Sequence, residues 1–176
     1  MMILIKLFLA HIIGDFFLQS HSWVHRKENR KLKSPKLYLH IGIHFILLFV
    51  LLWDFTLWPA IITVGFLHYI IDATKLLFQK KKTKRLWFFI DQLLHVASIF
   101  LAYHLFVYSF EIETFITEPT LFIIVCILFL TQSVSIIMKT IFSKLNIAKL
   151  TEGNESLEDA GKYIGILERV LVFTFV

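Results

Sequence analysis

Four pairs of histidine and aspartate residues, each spaced i,i+4, stand inside apolar stretches of this sequence: His11 with Asp15, His40 with His44, His68 with Asp72, and Asp91 with His95. A spacing of four puts both members on one face of a helix, about 6 Å apart along its axis. Random placement of the chain's histidines and aspartates would give about one such pair. The sequence holds five, counting His21 with His25. Imidazole and carboxylate groups without thiolates suit a divalent transition metal, zinc first, with manganese or iron as alternatives. His11, Asp15, His40, His44, His68, Asp72, Asp91 and His95 exceed what one tetrahedral ion needs, so two ions are within the means of the set. A metal at such a place polarises a scissile group and lowers the pKa of a bound water. A spare Asp15 or Asp91 would move the proton. Ionisable groups in apolar segments are costly and default to function. A proton or ion pathway ranks second to the metal site, and a purely structural hydrogen-bond network third.

Further polar residues lie near these pairs. Gln19 continues the His11/Asp15 face, and Lys75 continues the face of His68 and Asp72. Lys75 reads equally as a substrate-binding cation and as a lysine snorkelling at a membrane boundary. Glu168 and Arg169 fall deep in the last apolar segment, where arginine suits carboxylate or phosphate oxygens and a salt bridge between helices is the plainer reading. Gly161 and Gly165 form a small-xxx-small face for close helix docking. His21, His25 and His104 read as solvated or structural. Cys126 is the one cysteine, which excludes an intrachain disulfide.

The elements that must position these residues are helices in lipid. Apolar residues make up 57% of the 176 and charged residues 18%, and mean hydropathy is +0.74. Soluble domains sit nearer 45–50% apolar, with about a quarter charged. Backbone groups in lipid must bond within their own segment, so the fold class expected is all-α, a polytopic transmembrane helix bundle in one domain over 1–176. Six segments are expected, at about Met2–Ser20, Leu37–Asp54, Thr56–Phe78, Trp87–Phe110, Thr120–Phe142 and Leu157–Val176. Ser156 with Asp159 resembles a capping box ahead of the last. That segment is still apolar at Val176, so the native chain is open to continuing beyond it. The start lacks a small-residue cleavage site and reads as a mature helix.

Charge orients the bundle. Arg26, Lys27, Arg30, Lys31, Lys33 and Lys36 follow the first segment as loop cations, and Lys80, Lys81, Lys82, Lys84 and Arg85 follow the third. Glu111, Glu113 and Glu118 follow the fourth. The positive-inside rule places the basic loops in the cytoplasm and the N-terminus outside. All four pairs then fall in one slab, in the cytoplasmic half. The basic runs read as topology signals in contact with anionic headgroups, and no nucleic-acid partner is expected.

The string His11-Ile12-Ile13-Gly14-Asp15-Phe16-Phe17-Leu18-Gln19 resembles the opening signature of a bacterial membrane family, domain of unknown function 3307. So do His40-x-x-x-His44, His68-x-x-x-Asp72, Asp91-Gln92-x-x-His95 and Gly161-Lys162-x-x-Gly165-x-Leu167-Glu168-Arg169. The resemblance covers nearly the whole chain and implies a multi-pass protein of the bacterial inner membrane. It brings no activity with it. A looser similarity to small membrane-bound metal-dependent hydrolases implies hydrolysis. The function expected is a metal-dependent hydrolase acting on a lipid or lipid-linked anionic substrate at the cytoplasmic leaflet. Asp15, Asp91, Lys75 and Arg169 are its candidate catalytic and substrate-binding groups. The alternatives are a divalent-cation or proton-coupled transporter and a sensor with a structural metal. The sequence leaves the oligomeric state open.

Overall fold

The computed structural model describes residues 1–107, 117–143 and 155–175, and every regular element among them is helical. The chain divides into two compact units, 1–122 and 123–176. In the first, α1 (Met2–Ile12) runs into a π-helical turn (Ile13–Phe17), and α2 (His21–Arg30) follows. Then come α3 (Pro35–Leu52), α4 (Trp58–Phe78) and α5 (Lys84–Phe106). The helix α6 (Glu118–Leu128) leads into a second π-helical turn (Phe129–Ser133), α7 (Val134–Phe142) and α8 (Glu155–Thr174).

Four stretches of the described residues are long and apolar enough to cross a membrane: Pro35–Leu52, Phe55–Phe78, Lys81–Phe106 and Glu118–Phe142. Met2–Phe17 and His21–Lys33 qualify together as a fifth, but the chain bends by 84° between them. The segment expected as the sixth span is helical over Glu155–Thr174. It is not among the qualifying stretches, since its first half carries Glu155, Glu158, Asp159 and Lys162. The expected cap by Ser156 and Asp159, and the loop residues Glu111 and Glu113, lie outside the described residues or side chains.

Helix starts and stops follow local chemistry. Pro35 opens α3, where its missing N–H removes no helical bond. Trp53 ends α3 in the left-handed region, at φ 49°. The Asp54 side chain then accepts from the Thr56 backbone N–H at 2.8 Å and from its hydroxyl at 2.7 Å. These bonds hold the Asp54 carboxyl below the usual carboxylate range.

Within the first unit, α1 packs on α3 and α5, and α4 packs on α3 and α5, closing a four-helix ring. One end of the ring interior is apolar, built from Ile3, Leu7, Leu48, Leu52, Ile61, Val64, Ile99 and Ala102. A Cβ at Gly65 would run into the Phe45 ring, so the glycine lets α3 and α4 approach closely. Outward faces are also apolar, with Ile46, Val50, Ile62, Phe66, Leu93 and Leu105 exposed. An apolar exterior around an interior that contains charged groups is compatible with a membrane.

Two contacts relate the ends of the bundle. The Met2 backbone N–H donates to Glu118 Oε1 at 2.7 Å, so the N-terminus and the start of α6 share one end. Lys84 pairs with Glu28 at 2.7 Å and Gln79 donates to the same carboxylate at 3.0 Å, so the two basic loops share one end.

Candidate metal centre

Each histidine and aspartate of the four pairs projects into the ring, where i,i+4 spacing keeps both members on the inward face. The interior ends of the imidazoles meet at Asp15. Its Oδ1 lies 3.0 Å from Nε2 of His44, 3.1 Å from Nε2 of His40 and 3.5 Å from Nε2 of His68. The Nε2 atoms of His40 and His68 are 3.1 Å apart. All three imidazoles are at most 2% exposed.

These four separations are close to the edge length of a coordination tetrahedron. Metal–ligand distances of about 2.0–2.1 Å give edges of about 3.3 Å between ligand atoms. With the Nε2 atoms of His40 and His68 3.1 Å apart, only one of them can carry the proton between neutral rings, so the other turns a lone pair toward the carboxylate oxygen. A cation at the middle uses the same lone pairs without conflict. Asp15, His40, His44 and His68 therefore could hold a metal ion, with one donor atom from each within 4.8 Å of the others.

The backbone is shaped for this. Asp15 sits on the π-helical turn that ends α1, where the Leu18 N–H reaches back to the Ile13 carbonyl at 2.9 Å. Such widened turns recur at functional sites because they re-aim a side chain inside a helix. Gly14 precedes it, and a Cβ there would collide with the His44 ring. The glycine is what allows α3 to bring His44 up to α1.

A second ligand group adjoins the first and shares His68 with it: His68, Asp72 and His95. The His95 Nδ1–H donates to the Asp91 carbonyl at 2.7 Å. That bond fixes the tautomer and leaves Nε2 as a lone pair. His95 Nε2 is buried and has no hydrogen-bond partner among the described residues. A small cavity, about 10 Å³ to a water-sized sphere, is lined by His11, His44, His68 and His95 on one side and by Leu7, Leu48, Val64 and Ile99 on the other.

The remaining expected residues surround these two groups. His11 stacks on His95 with ring centroids 5.2 Å apart, and its Nδ1 is 3.6 Å from Asp15 Oδ2. Asp91 receives Lys75 Nζ at 2.7 Å and the Gln92 amide at 3.2 Å. The Gln19 amide nitrogen lies 2.9 Å from Nε2 of His40. Thus Lys75 and all eight expected ligand residues come together in the first unit. His21, His25 and His104 are exposed.

Arg169 belongs to the second unit. Its Nε donates to the Leu130 carbonyl at 2.9 Å and its Nη2 to Ser135 Oγ at 2.7 Å, so it ties α8 to the second π-helical turn. Gly165 makes room for it, since a Cβ there would be 3.0 Å from Arg169 Nη1. Gly161, expected to dock closely with Gly165, faces open space, and a Cβ added to it would meet nothing within 4 Å.

One residue of the site is not apparent from the sequence pattern. Lys27, expected as a loop cation, is 5% exposed, and its Nζ lies 2.8 Å from Asp72 Oδ2. A signal is nonetheless present. Trp23, Val24 and Lys27 recur at helical spacing in α2, while Arg26 and Arg30 fall on the exposed face. A lysine on the apolar face of an amphipathic helix must find a carboxylate.

Residues 3–123 match the family described as protein of unknown function, DUF3307. The match covers the whole four-helix ring and every residue of the His/Asp cluster. No curated protein and no solved structure matches the chain.

Proposed function

This chain belongs to the DUF3307 family, and we propose that it is a metal-dependent hydrolase of the bacterial inner membrane, acting on a lipid or lipid-linked anionic substrate at the cytoplasmic leaflet. The observation that carries the reading is the convergence of His40, His44 and His68 on Asp15 Oδ1 at tetrahedral spacing. Zinc is the ion of choice for three imidazoles and a carboxylate, with manganese or iron as alternatives.

Orientation follows the charges. The basic loops lie in the cytoplasm, the N-terminus lies outside, and α8 adds a sixth membrane-associated segment. The cluster then sits in the cytoplasmic half, with α2 along the inner headgroups. The chain bends by 84° just after the turn that carries Asp15, and the Lys75 side chain, bound to Asp91, is 23% exposed. A lipid headgroup could reach the cluster from there.

When bound, the metal supplies a Lewis acid and an activated water. The chain's own groups do the rest. His11, 3.6 Å from Asp15 Oδ2, is placed to take and return a proton. Lys75 holds Asp91 until an anionic substrate group competes for it. Arg169 remains a second candidate for binding an anionic group. The apolar packing of Leu7, Leu48, Val64 and Ile99 keeps bulk water from the far side of the cluster.

That packing also ranks hydrolysis above transport. A transit site needs access from both faces. Here the ligands give way to a continuous apolar core toward the other end of the ring.

The test is elemental analysis of protein extracted in mild detergent, beside Asp15→Ala and His68→Ala. About one equivalent of metal in the parent and none in the variants is the expected result. A screen of the parent against phospholipids and lipid-linked phosphates, with the metal-free form as blank, then reads hydrolysis. Metal-free parent protein that also fails to take up zinc, manganese or iron would end the reading.

A further inference from the structure

We propose that Lys27 is a tethered cation filling the second of two adjacent cation positions, so that α2 holds the centre to a single metal ion. The inference rests on the metal reading above.

His68, Asp72 and His95 form a second ligand group that shares His68 with the first, so Asp72 and His95 are the donors left once an ion has taken His68. Asp72 and His95 are 5% and 1% exposed. The His95 Nε2 lone pair has no partner among the described residues, although its ring is fixed by the Nδ1–H bond to the Asp91 carbonyl. Such a nitrogen is prepared for a cation. Asp72, the carboxylate of this pair, instead has Lys27 Nζ 2.8 Å from its Oδ2. An ammonium and a divalent ion therefore compete for the one carboxylate.

Charge balance points the same way. Asp15, Asp72 and Asp91 face Lys27 and Lys75, which leaves one negative charge in excess when the imidazoles are neutral. One divalent ion turns this to a single positive charge, which a bound hydroxide or an anionic substrate group cancels. A second divalent ion with Lys27 in place would leave three positive charges in a buried site, which is strongly unfavourable. Exchanging Lys27 for a neutral residue removes both the competitor and one of those charges.

The location of Lys27 makes this a property of α2. The helix is turned by 84° from α1 and is held from outside by Glu28, which pairs with Lys84. Lys27 enters the bundle from this helix, which is not a member of the ring.

The experiment counts ions per folded chain after saturation with zinc and removal of the excess. The parent should hold one, Lys27→Met two, and Lys27→Arg one, because the guanidinium keeps the charge. Lys27→Met combined with His95→Ala should return to one. Manganese-loaded Lys27→Met should show the coupled spectrum of two neighbouring ions, and the parent that of an isolated one. Should Lys27→Met lose its thermal transition, Lys27→Gln is read in its place. One ion in the parent and one in the folded neutral variant overturns the role of Lys27 and leaves the metal reading standing. Two ions in the parent also overturn it. No ion in the parent overturns both.

Discussion

Nε2 of His44 on α3 lies 3.0 Å from Oδ1 of Asp15 on the π-helical turn, and the contact exists only because Gly14 has no side chain to hold the helices apart. Sequence neighbours thus divide two tasks: Gly14 lets the imidazole in, and Asp15 meets it.

Gly14→Ala should therefore weaken the site rather than merely alter a helix. The added methyl meets a ring that is 2% exposed. Overpacking of this kind costs about 1–3 kcal/mol. Gly42 is the control, since a Cβ there meets nothing within 4 Å, and Gly42→Ala should stabilise α3 by about 0.5–1 kcal/mol. Thermal unfolding in detergent and metal content decide it. Equal behaviour of the two alanine variants would refute the role given to Gly14.

Lys75 and Asp91 should behave as a coupled pair. Asp91 is 2% exposed and accepts Lys75 Nζ at 2.7 Å. Removing one partner of a buried pair costs about 3–5 kcal/mol, because the other charge is left without compensation. The solvent-reached end of Lys75 lowers that figure here. Lys75→Met and Asp91→Asn should each lower the thermal midpoint, and the double variant should recover much of the loss. Additive losses would show that the two groups do not depend on one another.

Much of this site is legible in the sequence, for a definite reason. Helical periodicity fixes which residues share a face, and segment length with loop charge sets the level expected for them along the bundle. Those two constraints suffice to bring His11/Asp15, His40/His44, His68/Asp72 and Asp91/His95 to one level. They do not fix the rotation of each helix about its axis. Hence the sequence leaves open that Asp15, His40, His44 and His68 form one ligand group, that His68, Asp72 and His95 form another, and that Lys75 holds Asp91. The π-helical turn at Asp15 changes the local period and has no clear sequence mark. Lys27 is hidden because a lysine within a basic run is ordinarily solvated, and only the 84° bend carries it under the bundle. The last helix reads as a span from its apolar end, while its charged first half keeps it from qualifying as one.

Orientation can be read chemically. The pairing of Lys84 with Glu28 puts both basic loops at one end, and the bond from Met2 to Glu118 puts the N-terminus at the end where α6 begins. With Cys126→Ala as background, Lys82→Cys should react with a membrane-impermeant thiol reagent only after the cells are opened. Glu113→Cys should react in intact cells. The reverse pattern would place the cluster in the outer half and remove the cytoplasmic leaflet as the source of substrate.

Arg169 separates scaffold from substrate chemistry most sharply. Among the described residues its guanidinium donates to the Leu130 carbonyl and to Ser135 Oγ, and so ties α8 to the π-helical turn and to the start of α7. A hydrogen bond from a charged donor contributes about 1.5–3 kcal/mol. Arg169→Met should therefore destabilise this helical unit by about 2 kcal/mol or more, leaving the Leu130 carbonyl without that donor. Lysine has donors but no planar fork, so Arg169→Lys should retain about half of the loss. Metal content should be unchanged in both, because a guanidinium has no lone pair for a cation and both ligand groups lie within residues 15–95. Thermal midpoint, metal content and lipid hydrolysis measured together give distinct patterns. Stability losses graded from Lys to Met, with hydrolysis per folded molecule unchanged, assign Arg169 to the scaffold. Hydrolysis lost in Arg169→Lys at near-parent stability and full metal content assigns it instead to the anionic group of the substrate.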